Sequence, residues 1–124
     1  MGRRVRVQVL ASVMNQTAAG IAEKMHLNSD AVVINQCDRL GYEELEYKGH
    51  SVRFFSFPDR GVGRSRNEAI LRAEGDICLF ADEDIVYEAE YAQAIEREFE
   101  NRPGADMILF NIEIDEARRT YHIN

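Results

Sequence analysis

The sequence contains no tryptophan, two cysteines, three histidines and two prolines among 124 residues. Cys37 and Cys78 have no CxxC spacing and lie in or beside apolar runs. We therefore expect reduced thiols in the core, and not a disulfide or metal ligands. The histidines are scattered, which argues against a zinc site. Arginines alternate with valines near the N-terminus and no long apolar segment is present, so we predict no signal peptide, no membrane span and a cytoplasmic protein.

An excess of basic residues is also missing. The formal net charge is −7, which argues against sequence-independent nucleic-acid binding, because such binding needs clustered lysine and arginine. Hydrophobic residues make up 45% of the chain and charged residues 30%, as in an ordinary globular protein. The length predicts one domain with a single core.

The pattern of apolar residues predicts strands that alternate with helices. The predicted strands are residues 5–11, 31–34, 42–48, 51–57, 77–80 and 107–114. Helices are predicted to begin at Thr17, after Gly61 and near Glu88, with Gly75 as a left-handed cap of the second and residues 102–104 ending the third. Parallel strands joined by helices end at the same edge of a sheet, which predicts an α/β fold with polar loops along one edge.

An apolar run that ends in acid, ICLFADED at residues 77–84, is the central feature of the sequence. We predict a strand buried on both faces. Asp82 and Asp84 are two residues apart, so an extended chain points both carboxylates to one side. Two such oxygen donors suit a divalent cation that holds a diphosphate. The alternative is that these acids cap the helix expected near Glu88.

A second informative stretch is DRGVGRSRN, at residues 59–67. Two glycines before a helix, with three arginines around them, suit the approach of an anion, although a solvated basic turn has the same composition. The stretch lacks the third glycine of a dinucleotide fingerprint and the lysine of a Walker loop.

Three motifs in this order, GVGRSRN at 61–67, AEGD at 73–76 and LFADED at 79–84, resemble the family 2 glycosyltransferases. Residues 12–15 (SVMN) resemble the family's first loop. Residues 35–38 (NQCD) stand in place of its second loop, which usually reads Asp-Asp-Gly-Ser. The resemblance implies a GT-A fold, a Rossmann-like three-layer α/β/α arrangement with a mostly parallel central sheet.

The resemblance also implies a nucleotide-diphosphate sugar, either a UDP-sugar or a GDP-sugar, as the donor. Asp82 and Asp84 would hold Mg²⁺ or Mn²⁺ against its diphosphate, with Asp82 contacting either the metal or the ribose. Arg66 and Asn67 match the start of the family's helix and would help to fix the donor. Arg66 can equally pair with nearby acids and hold the helix.

Four further residues, at or beside the matched motifs, are candidates. Arg60 and Arg64 would lie beside the phosphates, and Asn15 and Asp38 would border the nucleoside. The predicted donor-binding domain covers residues 1–114, and residues 115–124 are predicted to be a polar tail or the start of an acceptor half. The family's catalytic base, usually an aspartate, is expected in that half, so the chain resembles a donor-binding fragment truncated after its first half. Transfer to a saccharide or another acceptor, in polysaccharide or glycoconjugate biosynthesis, is the implied activity.

Three other classes of function share features with this sequence. A haloacid-dehalogenase-type phosphatase needs a lysine downstream of its acidic motif, but Lys24 and Lys48 both lie upstream. A response-regulator receiver needs acids after its first strand, and residues 11–15 contain none. A non-catalytic nucleotide-binding or self-associating module stays open, because a half-fold would leave a sheet edge or an apolar face for a second copy to cover.

Overall fold

The computed structural model describes residues 5–58, 61–82, 85–102 and 104, together with the backbone of 112–115 and 120–123. The strands are β1 (Val7–Met14), β2 (Asp30–Gln36), β3 (Gly41–Tyr47), β4 (His50–Phe57), β5 (Ile77–Asp82), β6 (Ile112–Asp115) and β7 (Thr120–Ile123). The helices are α1 (Ala18–Lys24), α2 (Val62–Arg72) and α3 (Tyr91–Asn101).

The main sheet has five strands in the order β3-β4-β2-β1-β5. Strand β1 pairs in parallel with β2 and β5, and β2 pairs in parallel with β4. Only the hairpin strand β3 runs antiparallel to its neighbour β4. The predicted α/β fold with a mostly parallel sheet is therefore confirmed.

Helices cover both faces of this sheet. Alternating residues of β1 face opposite ways, so Val9 packs in one buried cluster and Leu10 in another. The first cluster includes Ile21 of α1 and Ile95 of α3, and the second includes Ala69 of α2. The layers are thus α1 and α3 on one side, the sheet, and α2 on the other.

The first two strands extend further than the sequence predicted. Strand β1 continues to Met14 and β2 to Gln36, so that Ser12, Asn35 and Gln36 lie in strands and not in loops. The parallel ladder between β1 and β2 pairs residues up to Met14 and Gln36. Backbone pairing therefore continues through polar residues that were expected to end the strands.

The prediction that β5 is buried on both faces is wrong. Its residues alternate in burial, and the side chain of Phe80 is 48% exposed. Within the described ranges β5 pairs with β1 alone, and α2 packs over β1 and β2. Cys78 is likewise exposed and not a core residue, whereas Cys37 is buried as expected, and both thiols are free.

Three other local predictions need correction. Helix α2 ends at Arg72, and Gly75 does not have the predicted left-handed backbone; among the described glycines, Gly49 and Gly61 have positive φ. Helix α3 begins at Tyr91, with Glu90 as its N-cap and no side-chain hydrogen bond at the cap. Asp82 therefore does not cap α3, and Asp84, the other acid of that alternative, lies outside the described residues.

The C-terminal residues contain a pair of strands. Strand β7 pairs antiparallel with β6, so Thr120–Ile123 form a strand within the segment predicted to be a polar tail or the start of an acceptor half. Most of the strand expected at 107–114 lies outside the described residues. The domain boundary at residue 114 stays a prediction.

Candidate active site

Four parallel strands end at the same edge of the sheet. These ends are Met14 of β1, Gln36 of β2, Phe57 of β4 and Asp82 of β5. The backbone links three of these ends directly: the N–H of Asn15 donates to the carbonyl of Gln36 at 3.0 Å, and the N–H of Cys37 donates to that of Phe57 at 2.9 Å. In open parallel sheets, ligands bind at this carboxyl edge.

An open cleft of about 750 Å³ lies along the β1, β2 and β3 part of this edge. Asn15 and Asp38, the two residues predicted to border a nucleoside, both line it. Its other lining residues are Gln16, Thr17, Asn35, Cys37, Arg39, Leu40, Gly41, Tyr42, Glu43, Phe54 and Ser56. The cleft therefore brings together the loops after β1 and β2.

Asn15 has a left-handed backbone, with φ of 51°. Asparagine adopts this conformation more readily than most residues, because its side chain is short and polar. The next residues lead into α1, where the Thr17 hydroxyl accepts the N–H of Gly20 at 3.1 Å. The tight turn at Asn15 thus places an exposed amide at the cleft and aims the chain into the helix.

The start of α2 lies at the same edge, after the end of β4. Its N-cap residue Gly61 has a φ of 120° and no side chain to cap the helix. Arg64 lies in the first turn, with Arg66 and Asn67 exposed in the next. Arg60 lies outside the described residues.

Asp82 ends β5 with an exposed side chain, and its strand partner on β1 is Ser12. Its carbonyl accepts the N–H of Ile85 at 3.1 Å. Asp84, the second predicted metal ligand, lies outside the described residues. Among the residues that the structure does describe, no three histidine, cysteine or acidic side chains form a ready-made metal cluster.

Below this edge, Tyr87 is buried and its ring stacks on that of Tyr91, with 4.3 Å between the ring centroids. Burial raises the pKa of the Tyr87 phenol far above its ordinary value, and the charges of Tyr91 and Asp82 add to the effect. In the described part of the chain its hydroxyl has no hydrogen-bond partner. Tyr87 is therefore a neutral core residue near the acidic strand end.

Sequence reasoning did not single out Leu40, Tyr42 and Glu43, which also line the cleft. A usable signal was present, because the predicted hairpin implies that β3 begins where β4 ends. The antiparallel register confirms this, since Gly41 pairs with Ser56 near the end of β4. The predicted hairpin therefore already implied that residues 40–43 lie at the carboxyl edge.

A second cavity, of about 430 Å³, lies at the opposite end of the strands, beside Arg6, Asp30 and His50. Here the Arg6 side chain donates a hydrogen bond of 2.5 Å to Asp30. This contact raises the pKa of the Arg6 guanidinium, and its effect is larger than the opposite effect of burial. Arg6 and Asp30 thus form an ion pair in this cavity. None of the predicted site residues that the structure describes lines it.

The fold and this edge define a Rossmann-like α/β protein whose loops meet where nucleotides bind. The sequence model of glycosyl transferase family 2 matches residues 7–124, essentially the whole described fold, and the chain belongs to that family. No curated protein and no solved structure matches the chain significantly. No helix in the described ranges is both long and apolar enough to span a membrane.

Proposed function

We propose that the carboxyl edge binds the nucleoside diphosphate of a sugar donor, a UDP-sugar or a GDP-sugar. The nucleoside lies in the cleft beside Asn15 and Asp38, and the diphosphate extends toward Asp82. The observation that carries this proposal is that β1, β2 and β5 run parallel and end together, with these polar residues at or just beyond their ends. Family membership supports a sugar nucleotide over other nucleotides.

Charge explains why a cation is needed. The chain has a net charge of −7, and Asp38 and Asp82 both lie at the proposed site, so a diphosphate would be repelled. An exposed strand-end carboxylate suits Mg²⁺ or Mn²⁺, because such ions bind one or two carboxylates and complete their coordination with phosphate oxygens and water. Asp82 and Asp84 are the proposed ligands. The ion would offset charge that develops on the departing nucleoside diphosphate.

The start of α2 offers the second source of positive charge. The first N–H groups of a helix are free to bind an anion, and here no side chain occupies them at Gly61. Arg60, Arg64 and Arg66 are the proposed phosphate-side groups, with Asn67 beside them. We propose that the family's activity, transfer of the sugar to a saccharide or another acceptor, follows from this donor site in glycoconjugate synthesis.

Thermal unfolding tests donor binding. UDP or GDP with Mn²⁺ should raise the melting temperature, and EDTA should remove the shift, because a ligand that binds only the folded state stabilises it. Asp82→Asn should lose the shift. Glu46→Gln is the matched control: it removes one exposed carboxylate at the opposite end of the strands, where Glu46 pairs with Ser51 beside the hairpin turn, and should keep the shift.

Two results would refute the proposal. One is the absence of a shift with either nucleotide in the unmodified chain. The other is an unchanged shift in Asp82→Asn. Equal loss of the shift in Glu46→Gln would show that net charge, and not the site, controls binding.

A self-associating module is the second candidate, and exposed apolar side chains favour it. Phe80 of β5 is 48% exposed, and Ile70 and Leu71 of α2 are 52% and 77% exposed. Phe80 alternates with residues that face α1, so all three lie on the α2 side of the sheet. A second copy could cover them. Sedimentation as a monomer at high concentration would rule this candidate out.

A further inference from the structure

Two consecutive amide side chains at the end of β2, Asn35 and Gln36, are buried at the border of the cleft. Their exposed fractions are 3% and 7%. Neighbouring residues of a strand point to opposite faces, so Asn35 faces the α1 side and Gln36 faces the α2 side. Each amide contacts a different loop.

Asn35 links the loop after β1 to β4. Its Oδ1 accepts the N–H of Gln16 at 2.9 Å, and its Nδ2 donates to the Ser56 hydroxyl at 3.2 Å. Both ends of the amide are therefore engaged inside the protein. The loop that carries Asn15 is anchored to two neighbouring strands.

Gln36 links β2 to the start of α2. Its Nε2 donates to the carbonyl of Gly61 at 2.9 Å, and the same carbonyl accepts the N–H of Ser65 in the first turn. Because Gly61 is the N-cap, this contact sets where the helix begins. The position of Arg64 depends on it.

We propose that Asn35 and Gln36 are positioning residues that hold the loop at Asn15 and the start of α2 at a set separation across the donor. This inference rests on the proposed function. The two amides occupy the place where the related family usually has two aspartates. Here each amide hydrogen-bonds to protein groups and ties one of the two proposed binding segments to β2.

Substitution by an acidic residue should have different effects at positions 35 and 36. Asn35→Asp can keep both contacts, because a carboxylate accepts from the Gln16 N–H and the Ser56 hydroxyl can turn to donate. Gln36→Glu, when ionised, cannot donate to the Gly61 carbonyl and places two acceptors face to face. Gln36→Met removes the donor without adding charge, and Asn35→Ala removes both contacts at that position.

Amide hydrogen exchange tests, without any ligand, whether the Asn35 and Gln36 hydrogen bonds hold the two segments in place. We expect amides 65–67 to exchange about tenfold faster in Gln36→Glu and Gln36→Met, and the Gln16 amide to do so in Asn35→Ala, since each loses a buried hydrogen bond. Asn35→Asp should stay close to the unmodified chain. Protection of Val9 and Leu10 in β1 should not change in any variant, which excludes general unfolding.

Binding of UDP or GDP with Mn²⁺ is then measured on the same variants. The dissociation constant should rise about tenfold in Gln36→Glu, Gln36→Met and Asn35→Ala. It should rise less in Asn35→Asp, which keeps both contacts but adds a negative charge beside the cleft. Unchanged exchange at these loops would overturn the inference. Faster exchange with unchanged affinity would also overturn it, because the ties would then be structural only. If the unmodified chain binds neither nucleotide, the proposed donor site is wrong, and Asn35 and Gln36 cannot position segments around a donor. Hydrogen exchange would still show whether the two amides hold these segments.

Discussion

Gly75 packs directly against Gln8: a Cβ on the glycine would lie 2.6 Å from the Cβ of Gln8. The Gln8 side-chain oxygen accepts the N–H groups of Glu74 and Gly75 at 2.7 and 3.0 Å. The N–H of Asp76 donates to the carbonyl of Arg6 at 2.7 Å. Through the AEGD turn, the connection from α2 to β5 therefore packs against β1. This contact fixes the start of β5, and so places Asp82 at the edge of the site.

Gly75→Ala should destabilise the fold. The new methyl must displace the Gln8 side chain or the β1 backbone, which we expect to lower the free energy of unfolding by about 1–3 kcal/mol. Gly63→Ala is the control, because nothing lies within 4 Å of a Cβ there. Being in α2, that change should be neutral or stabilise by up to about 1 kcal/mol. Urea unfolding of both variants checks this, and equal stabilities would contradict it.

Two stacked tyrosines should respond oppositely to loss of the hydroxyl. Tyr87→Phe removes a buried hydroxyl that has no partner in the described part of the chain, so stability should stay equal or rise by about 1 kcal/mol. Tyr91→Phe removes the acceptor of the Asn28 N–H at 2.9 Å and a contact of 2.7 Å with the Ser29 hydroxyl. We expect a loss of about 1–3 kcal/mol. Thermal or urea unfolding distinguishes them, and a larger loss in Tyr87→Phe would refute the assignment.

Alkaline pH should weaken the fold through Tyr87. Burial raises the pKa of its phenol in the folded state above the ordinary value of 10.0. The unfolded chain therefore releases this proton at lower pH than the folded chain, and stability is full below pH 10 and falls as the pH rises above it. Tyr87→Phe should make the decline shallower, although Tyr91, whose pKa burial also raises, still contributes. Denaturant midpoints between neutral pH and the alkaline range test this, and identical profiles would contradict it.

Because Asn15 has a left-handed backbone, two substitutions of this residue should affect stability differently but binding alike. Asn15→Gly keeps this conformation available and removes only the amide, whereas Asn15→Ala also strains the backbone, by about 1–2 kcal/mol. We expect Asn15→Gly to unfold nearly as the unmodified chain and Asn15→Ala to be less stable. If the amide borders the nucleoside as proposed, both variants should bind UDP or GDP with Mn²⁺ more weakly. Full affinity in Asn15→Gly would exclude that role, whatever the stability.

Much of the fold was accessible to sequence reasoning because its signals are local. Valine-rich runs and helical spacing predicted β1, β2, the β3–β4 hairpin and α1, and Thr17 was correctly expected to cap α1. Burial and strand ends were predicted less well. A strand's neighbours decide both, and those neighbours are distant in the chain.

The candidate site shows the same division. The residue pattern predicted the family and a mostly parallel sheet, and therefore that the loops with Asn15, Asp38 and Asp82 share one edge, because parallel strands joined by helices end at the same edge. The three-dimensional contacts were needed to show that Asn35 and Gln36 are buried and link neighbouring loops, and that Gly75 packs closely and does not cap a helix. These roles depend on which backbone groups of other strands and loops come within hydrogen-bond or van der Waals distance. The spacing of residues along the sequence does not reveal those contacts.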